Sequence, residues 1–363
     1  MSLISNVKYK IYSTLIGLSS YIHRLPKKST VPKVNYGGAR GGFKGGPQVK
    51  MQLLQQLFPE SKNEYNILYL LSGALYMPKC ALRRLKDRGV KIILNQNGVF
   101  YPAWSPDTWK EKNERMAEVL AQSNHIFYQS NFCKLSADKF LSQPIGTYEV
   151  LYNGVDTSFF KPISREQKKD NSFQFLVSGN ISASTFYRLE NALDGLEEAR
   201  KGGLNVKIRF VGILSPIAKD RINSLTQQKN MASYFKIDKY YSREEAPLVI
   251  ADADAYLMTK HNDPCPNAVL EAMACGLPVL YSASGGVPEL VGNDAGIGMS
   301  VQQSFDELFV PNAGQIAEGM EKIINNHSQF SQEARNRAVR LFDIQIWAER
   351  HRSAFLKIIN ERD

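Results

Sequence analysis

Asp263 and Glu271 stand eight positions apart in the stretch NDPCPNAVLEAMACGLPV, residues 262–279. A carboxylate is a natural bidentate acceptor for vicinal hydroxyls. Between the two acids, Asn267 follows Pro266 and has the character of a helix N-cap. Residues 268–275 are then strong helix formers, ended by Gly276 and Pro278. The amides of Ala268, Val269 and Leu270 would lack intrahelical acceptors and carry the positive end of the helix dipole, which suits a phosphate. A phosphate between two sugars, each sugar held by one carboxylate, describes a nucleotide-sugar. The alternative is structural: Asp263 caps the turn and Glu271 favours the helix start electrostatically.

These groups need elements to hold them. Helices are predicted at 47–58, 78–88, 106–123 and from Asn131, alternating with strands at 65–72, 90–96, HIFYQS and TYEVLYN. Residues 153–172, with turn residues, a proline and a charged run, read as a linker. The alternation then restarts, with strands at 173–179, 206–212, 234–237, 255–259 and 278–282. Helices are predicted at 186–200, 216–229, 244–252 and 268–275. Such a pattern implies doubly wound parallel sheets, whose ligands bind outside the carboxyl ends of the strands, and two halves with a cleft between them. The expected organisation is a basic segment 1–30, a first α/β domain 31–155 and a second α/β domain 156–345. A closing amphipathic segment, 346–363, is expected to pack back toward the first domain.

At 363 residues, with 43% apolar and 22% charged residues, the chain is expected to be globular and to form two domains. Cys80, Cys133, Cys265 and Cys275 lack zinc spacing. A reduced, cytoplasmic protein without structural metal is therefore expected. The net charge of +10 is concentrated: residues 1–50 hold nine Lys or Arg and no acid. Ile11, Leu15, Leu18, Ile22 and Leu25 share one helical face between those basic flanks. That helix could lie on an anionic membrane surface or pack on the protein's own core. No apolar run is long enough to span a bilayer, and no clear cleavage site follows.

The acidic pair resembles the E-x7-E signature of the retaining family 4 glycosyltransferases of the GT-B fold, with Asp263 in the first acidic place and Glu271 in the second. ACGLPV (274–279), SGGVPELVG (284–292), VLYNGVDTSFFKP (150–162) and GGPQVKMQLLQQL (45–57) fit the same resemblance. It implies a GT-B fold of two Rossmann-like doubly wound domains facing a central cleft, which makes 31–155 the acceptor-side domain and 156–345 the nucleotide-sugar-binding domain. It also implies metal-independent transfer, with retention, from a nucleoside diphosphate sugar to a glycan or lipid-linked acceptor, without a cofactor. By resemblance Glu271 holds the nucleotide ribose and Asp263 a hydroxyl of the transferred sugar. Asn267, Ala268 and Val269 face the diphosphate, and Gly45 and Gly46 let backbone approach it.

Two departures stand out. Where the family places an Arg after the glycine of its first C-terminal strand, Asn180 follows Gly179. The family's nearby Lys place falls on Arg188, which could bind phosphate bidentately or could be a solvent-facing helix residue. Lys260 is another source of positive charge. In the first half Asn97 stands where many members have His; it can donate a hydrogen bond to a sugar but cannot carry a proton. His261 is expected in a loop or supporting role.

Other chemistries are poorly supported. The Asp-x-Asp of DADAY (252–256) sits where a helix meets a strand, so a metal role there is disfavoured. GGARGGFKGG (37–46) matches neither G-x-G-x-x-G nor the P-loop pattern. Aromatic residues do not interleave with basic ones as a nucleic-acid platform requires. The rival expectation is a catalytically degenerate homologue that binds glycan or nucleotide without turnover.

Overall fold

The computed structural model describes residues 3–26, 30–42, 46–164 and 171–361. The chain divides into two compact units, Met1–Asn153 with Ile346–Asp363, and Gly154–Gln345. Of the segment read as a linker, residues 165–170 lie outside the described residues, as do Gly45 and residues 27–29.

The first unit opens with α1 (Leu3–Ile22) and β1 (Val34–Asn35). It continues through α2 (Gly46–Leu57), β2 (Ile67–Leu71), α3 (Lys79–Asp87), β3 (Lys91–Gln96), α4 (Trp109–Leu120), β4 (His125–Tyr128), α5 (Asn131–Phe140) and β5 (Thr147–Val150). Its five-stranded parallel sheet follows chain order, β1-β2-β3-β4-β5. β2, β3 and β4 are buried along their whole length, which explains why ILYLL reads as a continuous apolar run rather than an alternating one.

The second unit contains β6 (Phe173–Ile181), α6 (Tyr187–Lys201), β7 (Val206–Leu214), α7 (Pro216–Gln228), β8 (Phe235–Asp238), α8 (Ala246–Ala251) and β9 (Ala255–Met258). α9 (Asn267–Ala274), β10 (Val279–Ser282), α10 (Val287–Val291), β11 (Gly296–Met299), α11 (Ala313–Asn325) and α12 (His327–Arg337) follow. All neighbouring strands are parallel, in the order β11-β10-β9-β6-β7-β8. β6 and β7 each run two residues past the ends expected from sequence, to Ile181 and Leu214, with Gly179 and Gly212 in register. A Cβ on Gly212 would lie 2.0 Å from the Gly179 carbonyl oxygen, so the ladder passes this point only on glycine.

A π-helical turn, Ala338–Phe342, leads into α13 (Ile344–Asn360). From Ile346 onward this helix belongs to the first unit. There His351 meets the Tyr69 hydroxyl at 2.9 Å, and its ring lies 4.4 Å from that of Phe127, while Phe355 packs 5.0 Å from Phe58. Burial holds His351 neutral, with its pKa pushed down to about 3.

Candidate functional site

The strand order of the second unit reverses between β9 and β6. Such a switch point opens a crevice at the carboxyl ends of the strands, because the connections on either side diverge. Ser178 and Gly179 of β6, the loop after β9 and the Gly285–Gly286 turn after β10 all belong to this end of the sheet.

The loop after β9 is tied down by its own polar groups. The buried Asn262 adopts φ 51°, donates from its backbone amide to Ser284 Oγ (3.1 Å) and from its side chain to the Ser304 carbonyl at 2.6 Å. His261 lies between the Phe309 and Ser304 carbonyls, at 3.1 and 3.0 Å, a supporting position in the loop. Gly286 donates to the Asp263 carbonyl at 2.9 Å. Gly285 has φ 70°, and a Cβ there would come within 2.6 Å of the same carbonyl oxygen. Asp263 is therefore held by backbone. Its carboxylate pairs with Lys260 at 2.7 Å and accepts the Cys265 amide at 3.3 Å.

α9 begins one residue earlier than the composition suggested. Pro266, extended at φ −71° and ψ 120°, is the N-cap, and Asn267 is the first helical residue, so the expected Asn267 cap does not form. The Val269 amide donates to the Pro266 carbonyl at 3.1 Å, which removes it from the set of amides open to a ligand. The Ala268 amide donates to no acceptor among the described residues.

Glu271 lies one turn further along, half-buried, and its carboxyl makes no hydrogen bond or ion pair among the described residues. Desolvation pushes its pKa up to about 7, against an opposing pull from the Arg243 guanidinium. Its charge is felt by the Tyr241 and Tyr256 phenols and by the Cys275 thiol, all raised chiefly by burial.

Arg188, on the first turn of α6, is only 5% exposed, which rules out the solvent-facing placement. Its Nη2 donates to the Ser178 carbonyl at 3.0 Å, and its Nε is buried without a partner. A Cβ on Gly179 would sit 3.3 Å from Nη1, so glycine leaves the guanidinium its place. Ser178 links this group to the Tyr256 hydroxyl at 3.0 Å, and Tyr241 also hydrogen-bonds Ser178. Asn180 lies beyond, exposed, within the extension of β6. That extension and the 3-10 turn Ala183–Thr185 account for the long loop before Arg188.

Sequence reasoning missed Tyr241, Arg243, Tyr256 and Ser178. The segment YYSREE (240–245) offered only its density of polar and aromatic groups as a signal.

A separate polar cluster occupies the carboxyl ends of β2, β3 and β4 in the first unit. The Asn97 side-chain oxygen accepts from Lys50 Nζ at 3.1 Å and from Gln129 Nε2, and its backbone amide donates to Ser72 Oγ at 2.8 Å. Its Nδ2 is buried without a partner. Lys50, nearly fully buried, also donates to Asn95 Oδ1 at 2.9 Å. Gly46 is the exposed first residue of α2, and Gly45 is not described.

The Asp-x-Asp pair is occupied structurally: Asp252 pairs with Arg209 at 2.8 Å, and Asp254 accepts the Gln174 amide at 2.7 Å. Among the described residues no three His, Cys, Asp or Glu side chains group as metal ligands would.

Residues 160–339, nearly the whole second unit, match the family model Glycosyl transferases group 1. A probable sucrose-phosphate synthase of Thermosipho melanesiensis is 24% identical over 228 residues, 59% of this chain and 47% of that protein. The Escherichia coli protein WcaL, whose name assigns it to colanic acid biosynthesis as a glycosyltransferase, is 27% identical over 112 residues, 29% of this chain and 27% of its own. The matches thus span about half of the first relative, 47%, and less of the second, 27%. The structure of Anabaena HepE in complex with UDP superposes with a TM-score of 0.64 at 16% identity, covering 81% of this chain and 79% of HepE. That likeness establishes the GT-B fold of two parallel-sheet α/β domains. The sequence matches support a group 1 glycosyltransferase.

Proposed function

We propose that the protein is a retaining glycosyltransferase that moves a sugar from a nucleoside diphosphate sugar to a glycan or lipid-linked acceptor in cell-surface polysaccharide biosynthesis. The observation that carries this reading is the arrangement at one switch point of three groups: the unbonded Glu271 carboxyl, the backbone-held Asp263 and the buried Arg188 with an unfilled Nε.

In this reading Glu271 accepts the ribose hydroxyls and Asp263 a hydroxyl of the transferred sugar. Negative charge grows on the diphosphate as the glycosidic bond breaks, and preorganised cations stabilise it without reorganising. Arg188 supplies that charge in place of the Arg missing at Asn180. Lys260 is released toward phosphate when donor hydroxyls take over Asp263. The Ala268 amide adds the start of α9. With these cations and dipoles the site needs no metal. Asn97 Nδ2 donates to a sugar hydroxyl. HepE holding UDP on the same fold, and the naming of WcaL for colanic acid, favour a nucleoside diphosphate donor and a polysaccharide product.

The test is release of nucleoside diphosphate from a panel of donor sugars in the presence of glycan and lipid-linked acceptors, with the anomeric configuration of the product read by NMR. Release with retention, abolished by Asp263→Asn, is expected. Donor binding without release under every acceptor would assign the protein instead to the non-catalytic homologues, the reading that Asn180 and Asn97 favour. An inverted product would overturn the mechanism.

A further inference from the structure

α1 is built inside out. Tyr9, Tyr12, Ser13 and Ser20 fall along one side at helical spacing, with His23 just past the end of the helix. That polar side faces the protein. Tyr9 and Tyr12 donate from their hydroxyls to the Leu75 and Gly38 carbonyls, both at 2.6 Å, and Ser13 donates to the Tyr76 carbonyl at 2.7 Å. Arg84 reaches Ser20 Oγ at 2.6 Å, and His23 Nε2 lies 2.8 Å from the Tyr65 carbonyl. Gly17 meets Pro78 so closely that a Cβ would fall 2.9 Å from its ring. Rolling the helix to bury its apolar side would break these bonds and leave buried carbonyls unpaired, so the orientation is fixed by polar satisfaction.

The opposite side is the apolar stripe that the sequence shows. Ile11, Leu15, Leu18 and Ile22 are 58%, 59%, 54% and 63% exposed, Leu25 continues the line at 44%, and Tyr21 flanks it at 60%. Large side chains in one continuous row differ from the scattered apolar residues of an ordinary surface. Lys8 and Lys10 at one end and Arg24 at the other are exposed and have no ion-pair partner among the described residues. No acidic residue occurs in the first 50 positions. A second copy of the chain would bring the same cations against each other across a two-fold contact, which is unfavourable. An anionic bilayer surface matches both features, the acyl boundary taking the leucines and isoleucines and the headgroups taking the cations. No described helix is long and apolar enough to cross a membrane, so the helix would lie in the interface plane.

We propose that the outward face of α1, Ile11, Leu15, Leu18 and Ile22 with Lys8, Lys10 and Arg24, seats the protein on an anionic lipid surface. The inference does not depend on the catalytic assignment.

The test is sedimentation of the full chain with vesicles of phosphatidylcholine and phosphatidylglycerol, against vesicles of phosphatidylcholine alone. Binding to the anionic vesicles is expected, weakening as salt is raised. Leu15→Glu with Leu18→Glu should lower it by about tenfold or more, and Lys8→Glu with Lys10→Glu should remove the preference for the anionic lipid. Hydrogen exchange on the unaltered protein supplies a reading independent of variant folding: vesicles should slow exchange within residues 8–25. An unaltered protein that stays in the supernatant, a leucine pair variant that sediments equally, or protection confined to other elements would overturn the proposal. So would a dimer in solution that the leucine pair variant dissolves, since that result gives the face to a second copy.

Discussion

Glu271 titrates close to neutrality, with a pKa of about 7, and this has two consequences of opposite sign. As an acceptor for hydroxyls it must be ionised, so donor affinity should rise as pH increases through 7, and calorimetry near pH 7 should detect proton release on binding. The ligand-free fold behaves conversely. Its carboxyl pKa is raised above the unfolded value, so the stability it contributes is complete below about pH 4.5 and is lost as pH rises through 7. Glu271→Gln should therefore be more stable than the unaltered protein near pH 8, by about 3 kcal/mol, and about equally stable near pH 4.5. Equal melting at both pH values would mean the carboxyl is not desolvated. Arg188 can be probed by turnover. Arg188→Gln should lower kcat by about a hundredfold or more if the guanidinium meets developing diphosphate charge, with Arg188→Lys retaining part of the activity. An unchanged kcat would leave Arg188 as a brace for the Ser178 carbonyl. Both acids stand out in the sequence by chemistry and spacing, and Arg188 only through the family resemblance; the roles of all three remain proposals. Tyr241, Arg243 and Tyr256 were not, since they reach Glu271 only through tertiary folding.

At the scale of elements, the alternating pattern made most strands and helices visible, and the structure shows where it stopped short. The extension of β6 and β7 was hidden because Gly179 and Gly212 look like strand ends, whereas their lack of a Cβ lets the ladder continue. α9 begins on Asn267 because an extended proline can cap by its backbone alone, something a side-chain preference cannot reveal. The apolar stripe of α1 was also readable, but its direction was not: hydrogen bonds to the Leu75, Tyr76 and Gly38 carbonyls, from residues distant in sequence, decide it. α13 carries a pH signature of its own. His351 and His125 are buried, with pKa values lowered to about 3 and about 4. Their folded values lie below the unfolded value, so the stability linked to them is present above about pH 6.5 and is lost as pH falls toward those values. Denaturant titrations between about pH 6.5 and 4 should show stability falling, and His351→Gln should lessen the slope by about 1.4 kcal/mol per pH unit. A slope unaffected by the substitution would contradict a neutral, buried His351.

At the scale of the whole molecule, the two-unit organisation followed from length and from the break in pattern after TYEVLYN. The strand orders did not follow, because sequence patterning fixes element type and not which strands become neighbours. The first unit owes part of its core to the chain end: Trp347, His351 and Phe355 pack among Phe58, Tyr69 and Phe127. Removing residues 346–363 should expose those rings and unfold the first unit, seen as rapid proteolysis within residues 34–150, and resistance there would contradict this role. The central claim, that the second unit grips an activated sugar through Glu271 at its switch point, is tested most directly by calorimetric titration of a panel of nucleoside diphosphate sugars into the unaltered protein and Glu271→Ala. The account predicts saturable binding of at least one donor, weakened about ten- to a hundredfold by the substitution. Equal affinity of the two proteins, or no binding by any donor, would contradict it.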